Sequence, residues 1–151
     1  MTSKKPFDLL VVPDDEPPVL SGTLYELRAR ALASEVAWYF DRPLNAAATI
    51  ERIRYADAII NIRSSVIFDR EVLSHCTKLK MLSIWGTGVD HVDLEAASDF
   101  GIIVSNTPGY GAPYVSEHAL TLALTISRQI VQNDHHIRGG GWTRGFIDEL
   151  Y

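Results

Sequence analysis

Short continuous apolar runs alternate with stretches of helical periodicity along the first two thirds of the chain. Phe7 to Val12, Glu35 to Phe40, Ala58 to Ile62, Met81 to Trp85 and Ile102 to Ser105 read as five strands. Between them, Ser21 or Thr23 is placed to cap a helix through about Ala33. Asn45 is placed to cap one to Tyr55, and Asp69 a short one ending near Cys76. Asp93 is placed to cap "LEAASDF", with Gly101 suited to end that helix in a left-handed conformation. Continuous rather than alternating apolarity predicts strands covered on both faces. Strands and helices in strict alternation, joined by short links, predict a parallel sheet with right-handed crossovers. The expected fold is therefore α/β: a flavodoxin-like, five-stranded parallel sheet in the order 2-1-3-4-5, with helices on both faces.

After Ser105 the pattern changes. "NTPGYGAP" carries two prolines and two glycines and reads as a loop leaving the sheet. A long helix is predicted from Tyr114 to about Arg138, ended by the glycines at 139 to 141. Val115, Ala119, Leu120, Leu122, Ala123, Leu124, Ile126 and Ile130 occupy more than one of its stripes, so it calls for burial on several sides. One small sheet cannot supply that, which predicts a second domain or a second subunit. The expected organisation is a domain over 1–105 and the start of another over 106–151.

The 151 residues are 46% apolar, enough for a core, and carry a formal charge of -5 with no cluster of Lys and Arg. Nucleic acid is thereby excluded as an expected partner. No uninterrupted apolar stretch approaches the ~20 residues of a membrane helix, so no membrane role is expected. One cysteine, Cys76, cannot form an internal disulfide. The expected setting is a reducing one, the cytoplasm.

Candidate chemistry sits at the strand ends, where parallel sheets bind ligands. "WGTGVDHVD", residues 85 to 93, follows the fourth strand. It fails as a dinucleotide fingerprint, because His91 stands where the third glycine of G-x-G-x-x-G belongs. Two readings remain. Gly86 and Gly88 could serve a tight turn requiring positive φ, and turns outnumber sites. They could instead expose successive N–H groups as a nest for an anion such as a carboxylate. Arg63-Ser64-Ser65 follows the third strand, offering a planar fork and hydroxyl donors. In the 2-1-3-4-5 order these two loops converge on one cleft. A rival lies in "LLVVPDDEPPVL", similar to the acidic pocket of a response-regulator receiver domain. It lacks the phosphoacceptor Asp after the third strand and the Lys after the fifth, so Asp14 to Glu16 are expected to form a solvated loop. No Cys/His group has zinc spacing. The histidines His75, His91, His118, His135 and His136 fall on predicted helices or their edges and are expected to have surface or packing roles.

From Lys78 to Trp142 the chain resembles the D-isomer-specific 2-hydroxyacid dehydrogenases, phosphoglycerate dehydrogenases most closely. The resemblance rests on "LKMLSIWGTGVDHVDLEAASDFGIIVSNTPG", "SEHALTLAL" and "RGGGW", in order and spacing, and extends more weakly back to the first strand. It implies that the sheet is the substrate domain and that Asn106-Thr107-Pro108 is the crossing to the nucleotide domain. It further implies a homodimer through the helix from Tyr114. By the same resemblance, the N–H groups of Gly88 and Val89 bind the carboxylate of a small 2-hydroxy or 2-oxo acid, with Arg63 and Ser64 assisting. Thr87 and Val115 match positions near the nicotinamide of NAD or NADP. Glu117 and His118 match the family's helix start, where charge pairing with the helix dipole is their expected role. Ile84 departs from the pattern, standing where phosphoglycerate dehydrogenases often have Arg. The family's G-x-G-x-x-G segment and its catalytic Arg, Glu and His have no counterpart here, so no catalytic residue is assigned. The implied function is the N-terminal portion of an NAD(P)-dependent D-2-hydroxyacid dehydrogenase, inactive alone. The alternative is a non-catalytic, dimerising, small-anion-binding module of flavodoxin-like fold.

Overall fold

A computed structural model describes residues 5–142 and contains one five-stranded sheet, all parallel, in the order β2-β1-β3-β4-β5. The strands are β1 (Phe7–Val12), β2 (Ala33–Trp38), β3 (Ala58–Asn61), β4 (Met81–Ile84) and β5 (Ile103–Ser105). Between them run α1 (Leu24–Leu32), α2 (Ala46–Ile53), α3 (Arg70–Ser74) and α4 (Leu94–Asp99). Beyond the sheet lie α5 (Ala112–Ser127) and α6 (Ile130–Arg138). The chain divides after Pro108 into two compact units.

Alternation along the central strands builds the core on both faces. Val11, Ile59, Leu82 and Ile84 point to one side, where Ile53 of α2, Val72 and Leu73 of α3, and Ala96 and Ala97 of α4 join them. Leu10, Val12, Ala58 and Ile62 point to the other, with Leu20 and Ala33. Coverage of both faces holds for the centre of the sheet but not for its edge, where Ile103 of β5 remains exposed. The four expected caps are in place. Side-chain oxygens of Thr23, Asn45, Asp69 and Asp93 accept the N–H of Tyr25, Ala48, Val72 and Ala96. Gly101 takes φ +71°, which ends α4.

Two expectations need correction. Strand β2 covers Ala33–Trp38 rather than Glu35 to Phe40, because it leaves α1 with no intervening loop and pairs from Phe7↔Ala33 to Val12↔Trp38. The long helix is two helices. Pro113, whose fixed φ suits a first turn, starts α5 earlier than expected. At the other end, Gln129 adopts φ +49° and its N–H bonds Ile126 O, three residues back, which closes α5. Neither α5 nor α6 has a buried residue.

Candidate functional site

The centre of the site is a buried polar relay at the tips of β1 and β3. Asp14 follows β1, and its carboxylate accepts N–H of Ile62 (3.0 Å) and Arg63 (2.8 Å) and the amide of Asn61 (3.0 Å). The Asn61 amide also donates to Arg63 O, while its Oδ1 lies 2.8 Å from His91 Nε2. Elementary donor counting fixes every orientation. A carboxylate only accepts, so the Asn61 nitrogen faces Asp14 and its oxygen faces His91. That oxygen can only accept, so His91 carries its proton on Nε2 and, when neutral, keeps a lone pair on Nδ1. Burial holds the His91 pKa below its ordinary value, against a smaller opposing pull from Asp90. Burial likewise raises Asp14, although the N–H groups of Ile62 and Arg63 oppose it.

The expected solvated loop at Asp14 to Glu16 is therefore wrong for Asp14 and Asp15, both 0% exposed, and holds only for Glu16. Asp15 organises the following turn. Burial works against its charge, but N–H of Val19, Ser21 and Leu20 and the Trp38 indole converge on it and hold its pKa low. Both carboxylates are occupied by protein donors, which leaves no receiver-type acidic pocket. Among the described residues no group of three or more His, Cys, Asp or Glu is placed to hold a metal ion.

The glycine loop after β4 is tied at several points. Trp85 N–H reaches Asn61 O, Thr107 N–H reaches Gly86 O, and the Asn106 amide reaches Thr87 O at 2.8 Å. Phe68 N–H to His91 O and Asp93 N–H to Phe68 O stitch it to the chain that follows β3. The two strand-tip segments thus meet, as the strand order requires. The turn explanation for the glycines fails here. Neither Gly86 nor Gly88 has positive φ. A Cβ on Gly86 would meet nothing within 4 Å, and one on Gly88 only Asp90 Oδ2 at 3.5 Å. The fold tolerates side chains at both positions, so packing does not require glycine at either. Among the described residues no acceptor takes the N–H of Gly88 or Val89. Two successive free donors at a strand end suit an anion.

Beside this loop lies a cleft of about 530 Å³. Its polar lining is Asn61, Ser64, Gly86, Gly88, Asp90 and His91; its apolar lining is Ile62, Ile67, Ile84 and Trp85. Of the expected substrate-binding residues, Ser64 and Gly88 line it and Arg63 and Val89 do not. The Arg63 guanidinium donates to Glu16 O (3.1 Å) and Pro17 O (2.7 Å), bracing two loops. Val89 lines a smaller hollow with Leu94, Val104 and Asn106. The Thr87 hydroxyl donates to Thr107 O, and Val115 is exposed on α5 in the other unit. Asn61 and His91 escaped the sequence reading. Their signal was a polar residue closing the apolar run "AIIN" and a histidine in place of a glycine. A dinucleotide pyrophosphate does not fit the described residues: α4 after the loop has six residues, and the Asp93 carboxylate already occupies its N-terminus.

A profile described as D-isomer specific 2-hydroxyacid dehydrogenase, catalytic domain, matches residues 19–146. A putative 2-hydroxyacid dehydrogenase of Haemophilus influenzae is 38% identical over 110 residues, covering 73% of this chain and 31% of the relative. A D-3-phosphoglycerate dehydrogenase of Mycobacterium leprae is 42% identical over 89 residues, 59% of this chain and 17% of the relative. Among solved structures, an acyclic imino acid reductase in complex with NADPH and D-Arg superposes with a TM-score of 0.75 at 25% identity, covering 91% of this chain and 43% of that one. The chain thus spans about a third or less of the length of these curated relatives.

Proposed function

Since the chain belongs to the D-isomer specific 2-hydroxyacid dehydrogenase family, we propose that residues 1–105 form the substrate side of an enzyme exchanging a hydride between NAD or NADP and carbon 2 of a small 2-hydroxy acid. In this reading residues 106–151 begin the nucleotide-binding domain. The substrate carboxylate accepts N–H of Gly88 and Val89, and the Ser64 hydroxyl assists. Arg63 serves the site through its loop, since its guanidinium is committed to Glu16 O and Pro17 O. Thr87 and, in the other unit, Val115 are assigned to the nicotinamide by the family resemblance alone. The nicotinamide supplies the redox chemistry when bound, and this chain's part is to hold and orient the acid.

The observation that carries this reading is the pair of unclaimed amides beside glycines that the backbone does not require. Titration of the ¹⁵N-labelled chain with glyoxylate tests it. The Gly88 and Val89 amide signals shift first and saturably; unchanged positions for both would refute the carboxylate assignment. The 151-residue chain alone is expected not to oxidise NADH with small 2-oxo acids, because its described residues give the pyrophosphate no seat. Measurable turnover overturns that.

Self-association belongs to the same proposal. On α5, Val115, Leu120, Leu122, Leu124 and Ile126 are exposed, an apolar surface larger than single scattered side chains. Homodimerisation through this helix covers it; a monomer by light scattering at micromolar concentration counts against it. A cytoplasmic setting is proposed from the buried free thiol of Cys76. No described helix is long and apolar enough to cross a membrane.

A further inference from the structure

We infer that the acid bound here is a monocarboxylate whose substituent beyond carbon 2 is uncharged and apolar, seated against Ile62, Ile67, Ile84 and Trp85. This rests on the carboxylate assignment above and adds the class of side chain. Among the described residues no Lys or Arg lines the cleft, and the one lining residue with a formal charge is Asp90. The sequence neighbour of two lining residues, Arg63, has its guanidinium held by Glu16 O and Pro17 O. His91 gives its Nε2–H to Asn61, and burial disfavours its charged form.

One carboxylate has donors waiting in Gly88 and Val89. A second anionic group, whether phosphate or carboxylate, would meet no cation among the described lining residues, near an aspartate whose Oδ2 lies 3.5 Å from where a Cβ on Gly88 would stand. Burying an unpaired charge is costly. The apolar wall, by contrast, is built to receive contact. Trp85 keeps 36% of its surface exposed, and Tyr25 of α1 meets its ring edge-on at 5.1 Å between centroids, 79° between planes. At about 530 Å³ the cleft exceeds what a two- or three-carbon acid fills. The inference departs from the phosphoglycerate dehydrogenases among the similar proteins, because it follows the lining of this chain.

Binding by the full chain decides the matter, read from the amide signals of Ser64, Trp85 and Gly88. 4-Methyl-2-oxopentanoate should bind at least about tenfold more tightly than glyoxylate, the range expected for filling an apolar subsite. It should also outbind oxaloacetate and 3-phosphohydroxypyruvate. Equal or tighter binding of either multiply charged acid at the same signals overturns the apolar class and leaves the carboxylate site standing. Shifts with none of the four acids overturn both. Ile67→Arg places a cation at an exposed lining position and should swing preference toward 3-phosphohydroxypyruvate. If it does not, charge at this wall does not set the choice and the inference fails. Trp85→Ala should abolish the advantage of the branched acid over glyoxylate; an undiminished advantage counts equally against it.

Discussion

Replacing Asn61 by Leu removes the hub of the buried relay with little change in volume. Asn61 is 1% exposed and joins Asp14, Arg63 O and His91 Nε2 at 3.0, 2.9 and 2.8 Å. After Asn61→Leu, Asp14 retains N–H of Ile62 and Arg63 but loses its third donor, and the His91 proton loses its acceptor, while Arg63 O keeps N–H of Val66 at 3.3 Å. Each buried group left unpaired costs about 1–3 kcal/mol. The leucine recovers part of this through apolar burial, at roughly 25 cal/mol per Å². A net loss of about 3 kcal/mol follows, a large share of the 5–15 kcal/mol that holds a typical domain folded. For a chain of this size that lowers the thermal midpoint by roughly 6–12 °C. Urea unfolding followed by circular dichroism measures the loss, and an unchanged denaturant slope shows that both end states are comparable. A cycle with His91→Phe isolates the coupling, since residues sharing a hydrogen bond do not add. A loss under about 1 kcal/mol, or strict additivity in the cycle, would mean that Asn61 does not fasten the two strand-tip segments, and the account of the site would be wrong.

Other consequences are more local. Gly86→Ala and Gly88→Ala should fold with thermal midpoints at or slightly above the wild-type value, since restricting the unfolded chain stabilises by about 0.4–1 kcal/mol where φ allows. Both should weaken glyoxylate binding, and a large loss of stability would restore the turn explanation. His91 has a depressed folded-state pKa, so its contribution to stability is complete above 6.5 and declines as pH falls below that value. His91→Gln should remove this decline from urea midpoints measured between pH 8 and pH 5; an unaltered profile would assign it to other groups. Cys76 is buried, which pushes its thiol up to about 11. Iodoacetamide at pH 8 should leave it unmodified until urea unfolds the chain, and rapid native labelling contradicts that burial.

Much of the sheet was readable because its signals are local. Thr23, Asn45, Asp69 and Asp93 each cap a helix within three residues, and Gly101 ends one through its own φ. The apolar runs of β1, β3 and β4 announce burial on both sides. What escaped depends on distant partners. Asp14 looks like part of a proline-rich acidic loop, yet it accepts backbone N–H groups 48 and 49 residues away, and backbone donors leave no trace in composition. Arg63 looks like a free ligand fork for the same reason: the carbonyls that take it belong to Glu16 and Pro17. The break at Gln129 was hidden because the apolar pattern continues unchanged from Ile126 to Ile130 across a residue whose positive φ leaves no trace in composition.

The neighbours Asp14 and Asp15 show why a site rather than stability explains this polar centre. Both are withdrawn from water, but Asp15 collects enough donors to keep its charge favourable, and Asp14 does not. Ionised Asp14 is therefore a net expense to the fold, and that expense shrinks as pH falls from its raised folded pKa toward the ordinary 3.8. An apolar residue could fill the position with less cost, as buried charges often can be replaced. What it could not do is fix the amide of Asn61. Without an obligate acceptor on its nitrogen side, Asn61 could turn over and offer His91 a donor instead of Oδ1. His91 would then have to reverse its tautomer or lose its hydrogen bond. Its ring lines the cleft, and the backbone that carries it runs directly on from Gly88 and Val89. The carboxylate at the tip of β1 thus dictates, through two side chains and one choice of orientation, which histidine nitrogen is left to accept at the strand ends.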